Sequence, residues 1–389
     1  MVYLDYAATA PVLPEVSEAM REAELRFFAN ASALHTPGHL ADAKIEAVRE
    51  KVAKLIGAES EEIIFTSSAT EANNTVIRTF EGCEIETSKL EHPSVLEAAK
   101  IYGVKECFCG CGNCKKRSSG PKLYSYMLAN NETGEILDIR PVIKRAHLEG
   151  GYFHSDLTQA FGKMPINVRK LGLDYATFSA HKIGGPVGVG VLNVRGGGKI
   201  VSPGEGIFGF NLKEKAPLRR LLVGGGQEGR RRAGTYNTAA IIGFGAAIDR
   251  INDELFSEYE GRIRGLRDKL AERILAEIPG SSLSTDLAPR RSLPNILNVS
   301  FRAAEGESIQ LYLDAEGIII STGSACAAGD GKPSHVLMAK TGDAEIAHSS
   351  VRFSFGLENS EGDIEKVMAV LPGIISRLQG MSTISMIGV

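Results

Sequence analysis

Short apolar segments alternate with segments of helical periodicity over much of the first half of the chain. Strands are predicted near 62–66, 122–128, 152–155, 175–178 and 187–194, and helices near 38–57 and 139–148. A further helix is predicted to open at Ser68, with Ser68 as its N-cap and Glu71 as the capping-box partner. Strands that alternate with helices pack as a mostly parallel sheet covered on both faces. The alternation therefore predicts an α/β domain.

The pattern changes near Asn252. A long charged amphipathic helix is predicted over 254–278, followed by strands and a final helix over 361–379. The 389 residues are enough for two or three domains. We therefore expect a second, smaller α+β domain in the C-terminal part.

Charge and hydropathy exclude several classes of partner. A net charge of −3 predicts no stable nucleic-acid binding and no anionic membrane surface as a partner. No segment approaches the roughly 20 apolar residues of a membrane span, and the start Met1–Asp5 lacks the basic and apolar regions of a signal peptide. Four of the six cysteines crowd into 107–114, which is unlike a disulfide framework. These features predict reduced thiols and a cytoplasmic location.

Two neighbouring strand ends carry the most informative residues. Asp156 lies at the end of one predicted strand, and the run Ser179-Ala180-His181-Lys182 follows the next. Singly these residues are unremarkable, since a strand-end Asp usually caps or pairs and most Lys side chains are solvated. Together they lie where open α/β sheets bind ligands. They supply a Schiff-base lysine and an acid for a pyridinium nitrogen, which predicts pyridoxal 5′-phosphate (PLP).

Motifs spread over almost the whole chain then resemble the cysteine desulfurase family, fold-type I PLP enzymes related to the class V aminotransferases. Eight motifs carry the resemblance in order: Tyr3–Thr9, Ser68–Asn74, Glu91-His92, Asn130–Gly134, Asp156–Lys182, Gly224–Thr235, Ser321–Cys326 and His348–Arg352.

The resemblance implies an α/β fold of the PLP-dependent transferase fold type I. The large PLP-binding domain would span 13–256 around a mainly parallel seven-stranded sheet. Residues 1–12 and 257–389 would form a smaller α+β domain that carries the catalytic cysteine loop. The implied reaction converts L-cysteine to L-alanine, with transfer of the sulfur as a persulfide on Cys326 for iron–sulfur cluster assembly or tRNA thiolation.

Site roles follow from the same resemblance, position by position. Lys182 would hold the cofactor and move the α-proton, Asp156 would pair with the pyridine nitrogen, and His92 would stack on the ring and act in catalysis. Gln159 would bind the phenolic oxygen. The other implied cofactor contacts are Ala69, Thr70, Asn131, Ser179, His181 and Thr235, the last reaching the phosphate of the second subunit in a homodimer with shared active sites. Asn30, Asn131 and Arg352 would orient the substrate, with Arg352 clamping its carboxylate.

Cys326 lies in a run of small residues, 321–329, rather than among bulky apolar neighbours. Such a run predicts an exposed loop, which suits a thiol that must reach the substrate sulfur and then deliver it. The alternative is a passive surface thiol. The implied acceptor is a protein such as an iron–sulfur scaffold.

A cluster of four cysteines has no counterpart among these motifs. Its members are Cys107, Cys109, Cys111 and Cys114. Alternation along a strand end places the first three on one side, and Gly110 and Gly112 let the chain curl back to the fourth. This predicts a zinc or iron–sulfur centre. Thiols that relay persulfide from Cys326 are the alternative.

The chain departs from the family pattern at two places. Val187 stands where the family usually has Lys, and the segment between His92 and Asn131 is shorter than usual.

Selenocysteine lyase or another PLP reaction on the same scaffold is an alternative function. A metal or iron–sulfur binding protein on a retired PLP fold is another, although the intact set of site residues speaks against retirement.

Overall fold

The computed structural model describes residues 1–103, 120–202, 207, 215–322 and 333–382. The α-helices in these ranges are α1 Pro14–Arg26, α2 Thr36–Ile56, α3 Ala69–Thr79, α4 Pro93–Tyr102, α5 Arg140–Leu148, α6 Val168–Leu171, α7 Thr238–Asp249, α8 Asp253–Glu258, α9 Arg264–Glu277, α10 Gly306–Ala315, α11 His335–Thr341, α12 Ala344–His348 and α13 Glu361–Met381. The strands are β1 Val2–Tyr3, β2 Ile63–Thr66, β3 Ile85–Thr87, β4 Leu123–Ser125, β5 Tyr152–Asp156, β6 Tyr175–Ser179, β7 Gly190–Val194, β8 Lys199–Ile200, β9 Pro217–Leu218, β10 Ser281–Leu283, β11 Ile296–Phe301, β12 Ile318–Ile319, β13 Ser321–Thr322 and β14 Ser350–Ser354.

The larger sheet has the strand order β2-β7-β6-β5-β4-β3. β7 is antiparallel to both neighbours, and the other adjacent pairs are parallel. Every residue of β2, β4, β5, β6 and β7 is buried, which is typical of a sheet covered by helices on both faces. The mainly parallel α/β architecture is thus confirmed. In the described ranges the sheet has six strands rather than the expected seven, because β3 pairs directly with β4.

Local details differ from the sequence-based expectations where backbone or capping geometry intervenes. β7 begins at Gly190 rather than at Val187, because Gly188 adopts φ +89°, outside the extended region. Ser68 is the N-cap of α3, and its hydroxyl accepts from the Glu71 amide. Glu71 bonds the amide of Ser67 instead of Ser68, so the predicted capping box is not formed. A π-helical turn at Tyr259–Ile263 separates α8 from α9 within the predicted long helix.

The chain divides into two compact units. One contains 11–128 and 138–251, and the other contains 1–10, 129–137 and 252–389. The smaller unit has an antiparallel sheet of order β10-β11-β14-β13, which packs its apolar face on α9, α10 and α13. The sequence-based boundaries at 12/13 and 256/257 did not include 129–137 in this unit. That segment joins it through backbone hydrogen bonds to Arg291 and Leu293.

No helix in the described ranges is both long and apolar enough to cross a bilayer.

A buried ion pair holds part of the larger unit together. Arg49 of α2 forms two hydrogen bonds with Glu228, at 2.6 and 2.9 Å, and also donates to the carbonyl of Ile63 at 2.8 Å. Arg49 is 5% exposed and Glu228 is 3% exposed. The pair therefore ties the Gly224–Thr235 motif to α2 and β2.

We expect Arg49→Met to lower the free energy of unfolding by about 3–5 kcal/mol, because it leaves the Glu228 carboxylate buried without its cation. Adding Glu228→Gln should recover part of the loss. Urea denaturation followed by tyrosine fluorescence measures it, as the chain has no tryptophan. Lys51→Met, which breaks an exposed pair with Asp249, is the control. Equal losses from the two single variants would contradict the assignment.

Candidate active site

Three strand ends meet at one edge of the larger sheet. β2, β5 and β6 are parallel, so their carboxyl ends lie on the same side, and the antiparallel β7 begins there. Thr66, Gly190 and Ser179 occupy adjacent positions in register. The predicted residues Asp156 and Ser179 are the last residues of β5 and β6. This edge is where open α/β sheets bind ligands.

Gly190 brings the N-terminus of α3 onto this edge. A Cβ at Gly190 would lie 2.4 Å from the carbonyl carbon of Ser68 and 2.8 Å from the amide nitrogen of Ala69, so only glycine allows this approach. The Ala69 amide donates to the Ser179 hydroxyl at 3.4 Å, and Thr70 follows as an exposed residue. A helix N-terminus with adjacent hydroxyls suits a phosphate group.

Asp156 is a buried carboxylate, 6% exposed. One oxygen accepts from the Thr158 amide at 2.9 Å, and the other accepts from Nδ2 of Asn73 at 2.8 Å. Within the described ranges no cation contacts it. A buried carboxylate ordinarily has a cationic partner. The protonated pyridine nitrogen of PLP would supply one, so these residues fit the cofactor.

The turn after β6 carries His181 and Lys182. The turn, Ala180–Ile183, ends at Gly184, whose φ is +77° and whose Cα faces Leu13. The side chain of Lys163 donates to the carbonyl of Lys182 at 3.2 Å, which fixes the turn. Burial, with the charge of Lys182, lowers the pKa of His181 to about 4. A bound phosphate would oppose this shift, because an anion favours the protonated ring.

His92 and Gln159 lie on two other connections of the same unit. His92 is the N-cap of α4, and its Nδ1 accepts from the Ser94 amide at 3.2 Å. Gln159 is half-buried in the turn after β5. The hydroxyl of Thr158 in that turn is buried and has no hydrogen-bond partner in the described structure. Its unused hydrogen-bonding capacity beside Asp156 and Gln159 is consistent with a ligand at this turn.

The Gly224–Thr235 motif is tied to the start of α3. Arg232 forms two hydrogen bonds with Glu71, at 2.8 and 3.1 Å. Thr235, three residues further on, is exposed. An exposed side chain here is consistent with a contact to a ligand outside this chain.

Arg352 and Asn131 come together in the smaller unit. Nη1 of Arg352 donates to the Asn131 carbonyl and Nη2 to the carboxylate of Asp5, both at 2.8 Å. Arg352 is 3% exposed, and its Nε is buried with no hydrogen-bond partner in the described structure. Of the five guanidinium N–H groups, two are used in these bonds. The remaining donors suit a carboxylate.

Other predicted residues are not placed in these clusters. Asn30 is exposed in the α1–α2 connection, and its side chain accepts from the Ser32 amide at 2.9 Å. Cys326 and the four cysteines at 107–114 lie outside the described residues. Among the described residues, no group of three His, Cys, Asp or Glu side chains could hold a metal ion.

Three buried polar residues near these clusters were not among the predicted site residues. Asn73 is fully buried and bonds Asp156. Glu91 is fully buried and accepts from the Met127 amide at 2.8 Å, and burial raises the pKa of its carboxyl well above the usual range. Glu132 accepts from the Ser334 hydroxyl at 2.5 Å, and burial raises its pKa to about 7. All three lie inside motifs already singled out, so polar residues at buried positions of those motifs were the available signal.

Comparisons with known proteins agree with the resemblance. The profile of the family described as Aminotransferase class-V matches residues 2–367. The cysteine desulfurase IscS of Dictyoglomus turgidum is 41% identical over 98% of this chain and 96% of its own length. A cysteine desulfurase of Gluconacetobacter diazotrophicus is 38% identical over 98% and 95%.

Solved structures of similar proteins indicate the same family. A NifS-like protein superposes with a TM-score of 0.78 at 32% identity, covering 98% of each chain. The apo cysteine desulfurase of Thermococcus onnurineus superposes with a TM-score of 0.75 at 27% identity, covering 97% of this chain and 95% of its own. The chain therefore belongs to the class V aminotransferase family of PLP-dependent enzymes and, within it, to the cysteine desulfurases.

Proposed function

We propose that the protein converts L-cysteine to L-alanine and takes the sulfur onto Cys326 as a persulfide for iron–sulfur cluster assembly or tRNA thiolation. The observation that carries the proposal is the buried Asp156 carboxylate, which has no cation among the described residues and lies one strand from Lys182. The full-length similarity to named cysteine desulfurases supports the same reaction.

The proposed site residues divide into four roles. Bound PLP would supply an electron sink for the reacting carbon. Asp156 would hold its pyridine nitrogen protonated, Gln159 would bind the phenolic oxygen and His92 would cover the ring face. Ala69, Thr70, Ser179 and His181 would hold the phosphate. Lys182 would attach the cofactor and carry the α-proton, and Asn131 and Asn30 would help to orient the substrate.

Sulfur transfer requires a nucleophile and no external oxidant. The Cys326 thiolate attacks the substrate sulfur, so an S–S bond forms as the substrate C–S bond breaks. The electron pair of the C–S bond stays with the substrate carbon, which is protonated to become the methyl group of alanine. The products are alanine and one persulfide per turnover.

Cysteine turnover by the purified protein tests the proposal. Alanine and sulfide are measured together, with dithiothreitol to release sulfide from the persulfide. We expect equal amounts of the two products. Alanine without sulfide, or keto acid in place of alanine, would instead indicate another PLP reaction. Selenocysteine in a parallel assay separates desulfurase from selenocysteine lyase.

We also propose a cytoplasmic homodimer with shared active sites. Thr70 and Thr235 are both exposed in the single chain, which fits a phosphate bound between two subunits. Light scattering should give the mass of two chains. The acceptor of the sulfur would be a protein such as an iron–sulfur scaffold.

Arg352→Ala should raise the KM for cysteine roughly 100-fold or more, because a buried Arg paired with a carboxylate contributes a few kcal/mol to binding. Arg352→Lys should be intermediate, since it keeps the charge but loses the planar fork. Arg302→Ala, which removes an Arg paired with Glu345 in the same unit, is the control. Steady-state kinetics give KM and kcat. An unchanged KM in Arg352→Ala would exclude the carboxylate role.

We further propose that Cys107, Cys109, Cys111 and Cys114 bind one zinc ion or iron–sulfur centre, on the spacing of the cysteines alone. Elemental analysis of anaerobically purified protein should find about one equivalent of metal centre. A variant with all four cysteines changed to serine should lose it and retain PLP. Metal-free parent protein, with a variant of unchanged stability, would leave a persulfide relay as the role of these thiols.

A further inference from the structure

A continuous chain of polar side chains, buried except for the partly exposed Ser94, is hydrogen-bonded to Asp156 and His92 in the larger unit. Its members are Asn73, Ser94, Thr177, His154 and Ser125. Asn73, Thr177, His154 and Ser125 are fully buried. Buried polar networks in which every partner is satisfied hold side chains in one arrangement.

The orientation of Asn73 follows from its neighbour Asp156. A carboxylate only accepts, so the amide nitrogen Nδ2 must face Asp156, at 2.8 Å. The rotated amide would place oxygen against oxygen. The second hydrogen of Nδ2 goes to the Ser94 hydroxyl at 2.9 Å. The amide oxygen then accepts from the Thr177 hydroxyl at 2.6 Å.

The hydrogen bonds from Asn73 to Ser94 and from Ser94 to His92 determine the tautomer of His92. Because the Ser94 hydroxyl accepts from Asn73, its own hydrogen is available for Nδ1 of His92, 2.8 Å away. The Ser94 amide also donates to Nδ1, at 3.2 Å. Both contacts make Nδ1 an acceptor. A neutral His92 ring therefore carries its proton on Nε2.

The hydrogen bonds that link Ser125, His154 and Thr177 to Asn73 also have one defined direction of donation. Thr177 donates its hydroxyl to Asn73, so it must accept from Nε2 of His154 at 3.1 Å. Nδ1 of His154 then accepts from the Ser125 hydroxyl at 2.8 Å. Burial lowers the pKa of His154 to about 4, against the opposing charge of Asp156, so the ring is neutral as this pattern requires. Every donor in the network finds one acceptor. The final acceptors are the Asp156 carboxylate and Nδ1 of His92.

We propose that Asn73 is a positioning residue that locks the Asp156 carboxylate and the His92 ring into one arrangement and, through Ser94, fixes His92 as the Nε2–H tautomer. This deepens the proposed function and rests on it only for the identity of the ligand. It has a chemical consequence for His92. Nδ1 is occupied by Ser94 and Nε2 carries the proton, so the neutral ring acts as a stacking group and hydrogen-bond donor rather than as a general base.

The test measures the tautomer directly. The PLP-loaded enzyme is labelled with ¹⁵N-histidine, and the His92 signals, among those of eight histidines, are assigned with His92→Phe. We expect an unprotonated Nδ1 and a protonated Nε2 in the parent. In Asn73→Ala the Ser94 hydroxyl can turn and accept, so the signals should move towards those of exchanging tautomers.

Two variants keep the result interpretable. Ser94→Ala leaves the Asn73–Asp156 bond and the backbone donor to His92 in place, so its shift should be smaller and it serves if Asn73→Ala fails to fold. Asn74→Ala changes the next residue of α3, whose side chain bonds the carbonyls of Thr70 and Ser94, and should leave the His92 signals unchanged.

Turnover provides a second readout. In Asn73→Ala we expect kcat to fall by about 10- to 100-fold, the effect of losing a hydrogen bond to a charged group, with KM for cysteine changed less than about threefold. A protonated Nδ1 in the parent, or unchanged His92 signals in both Asn73→Ala and Ser94→Ala, would overturn the inference. Failure of the parent to release alanine and sulfide, with the tautomer as expected, would overturn the proposed function instead.

Discussion

Lys182→Ala is expected to lose essentially all cysteine turnover, by roughly 10⁴-fold or more, because we propose that the same side chain attaches the cofactor and moves the α-proton. The turn Ala180–Ile183 places Lys182 directly after β6, beside the strand that ends in Asp156. Borohydride reduction followed by intact mass spectrometry should show the added mass of PLP on the parent and none on the variant.

Two lysine variants serve as controls for this result. Lys163 lies beside Lys182, since it donates to the Lys182 carbonyl, and Lys163→Met should retain the reducible link. Lys182→Arg keeps a positive charge but cannot attach PLP, and should be as inactive as the alanine variant. A reduced adduct on Lys182→Ala would show that another lysine holds the cofactor.

Cys326→Ala should bind PLP and cysteine but form no persulfide, because this variant lacks only the proposed sulfur nucleophile. We expect alanine production to fall at least about 100-fold, while the spectral change on adding cysteine persists. Rapid mixing with cysteine, with absorbance and alanine followed together, separates binding from transfer.

The matched control is Cys83→Ala. Cys83 is buried, and burial raises the pKa of its thiol, which makes it a poor nucleophile. This variant should therefore keep persulfide formation. Alanine release by Cys326→Ala at the parent rate would remove Cys326 from the reaction. Combining Cys326→Ala with serine at all four positions of the 107–114 cluster checks that no thiol of that cluster substitutes.

The fold could be predicted to the extent that it depends on periodicity. The continuous apolar strands and the change of pattern near Asn252 identified the sheet and the second unit. The assignment of 129–137 to the smaller unit could not be predicted, because it depends on backbone bonds to Arg291 and Leu293, far away in sequence. Glu71 illustrates the same limit, since its carboxylate binds Ser67 and Arg232 rather than closing the predicted capping box.

Candidate site residues could be proposed from the sequence where one residue carries one role. Asp156 and Lys182 stand at strand ends, where position alone suggests their chemistry. Asn73 could not be identified in this way, because its importance comes from three side chains, one each on α4, β5 and β6. Its place as a polar residue inside the Ser68–Asn74 motif was the available local signal.

The buried Nε–H donor of Arg352 leads to an expectation about which substrates the protein accepts. In the described structure its buried Nε–H has no acceptor, and an unsatisfied buried donor costs about 1–3 kcal/mol. A cysteine carboxylate would relieve that cost, whereas cysteamine, the amine that remains when cysteine loses its carboxyl group, would leave it in place. Sites built to hydrogen-bond a substrate group reject analogues that lack it by up to roughly 10⁴–10⁵-fold. We therefore expect the protein to turn over cysteine in strong preference to cysteamine, on the proposal that Arg352 binds the substrate carboxylate.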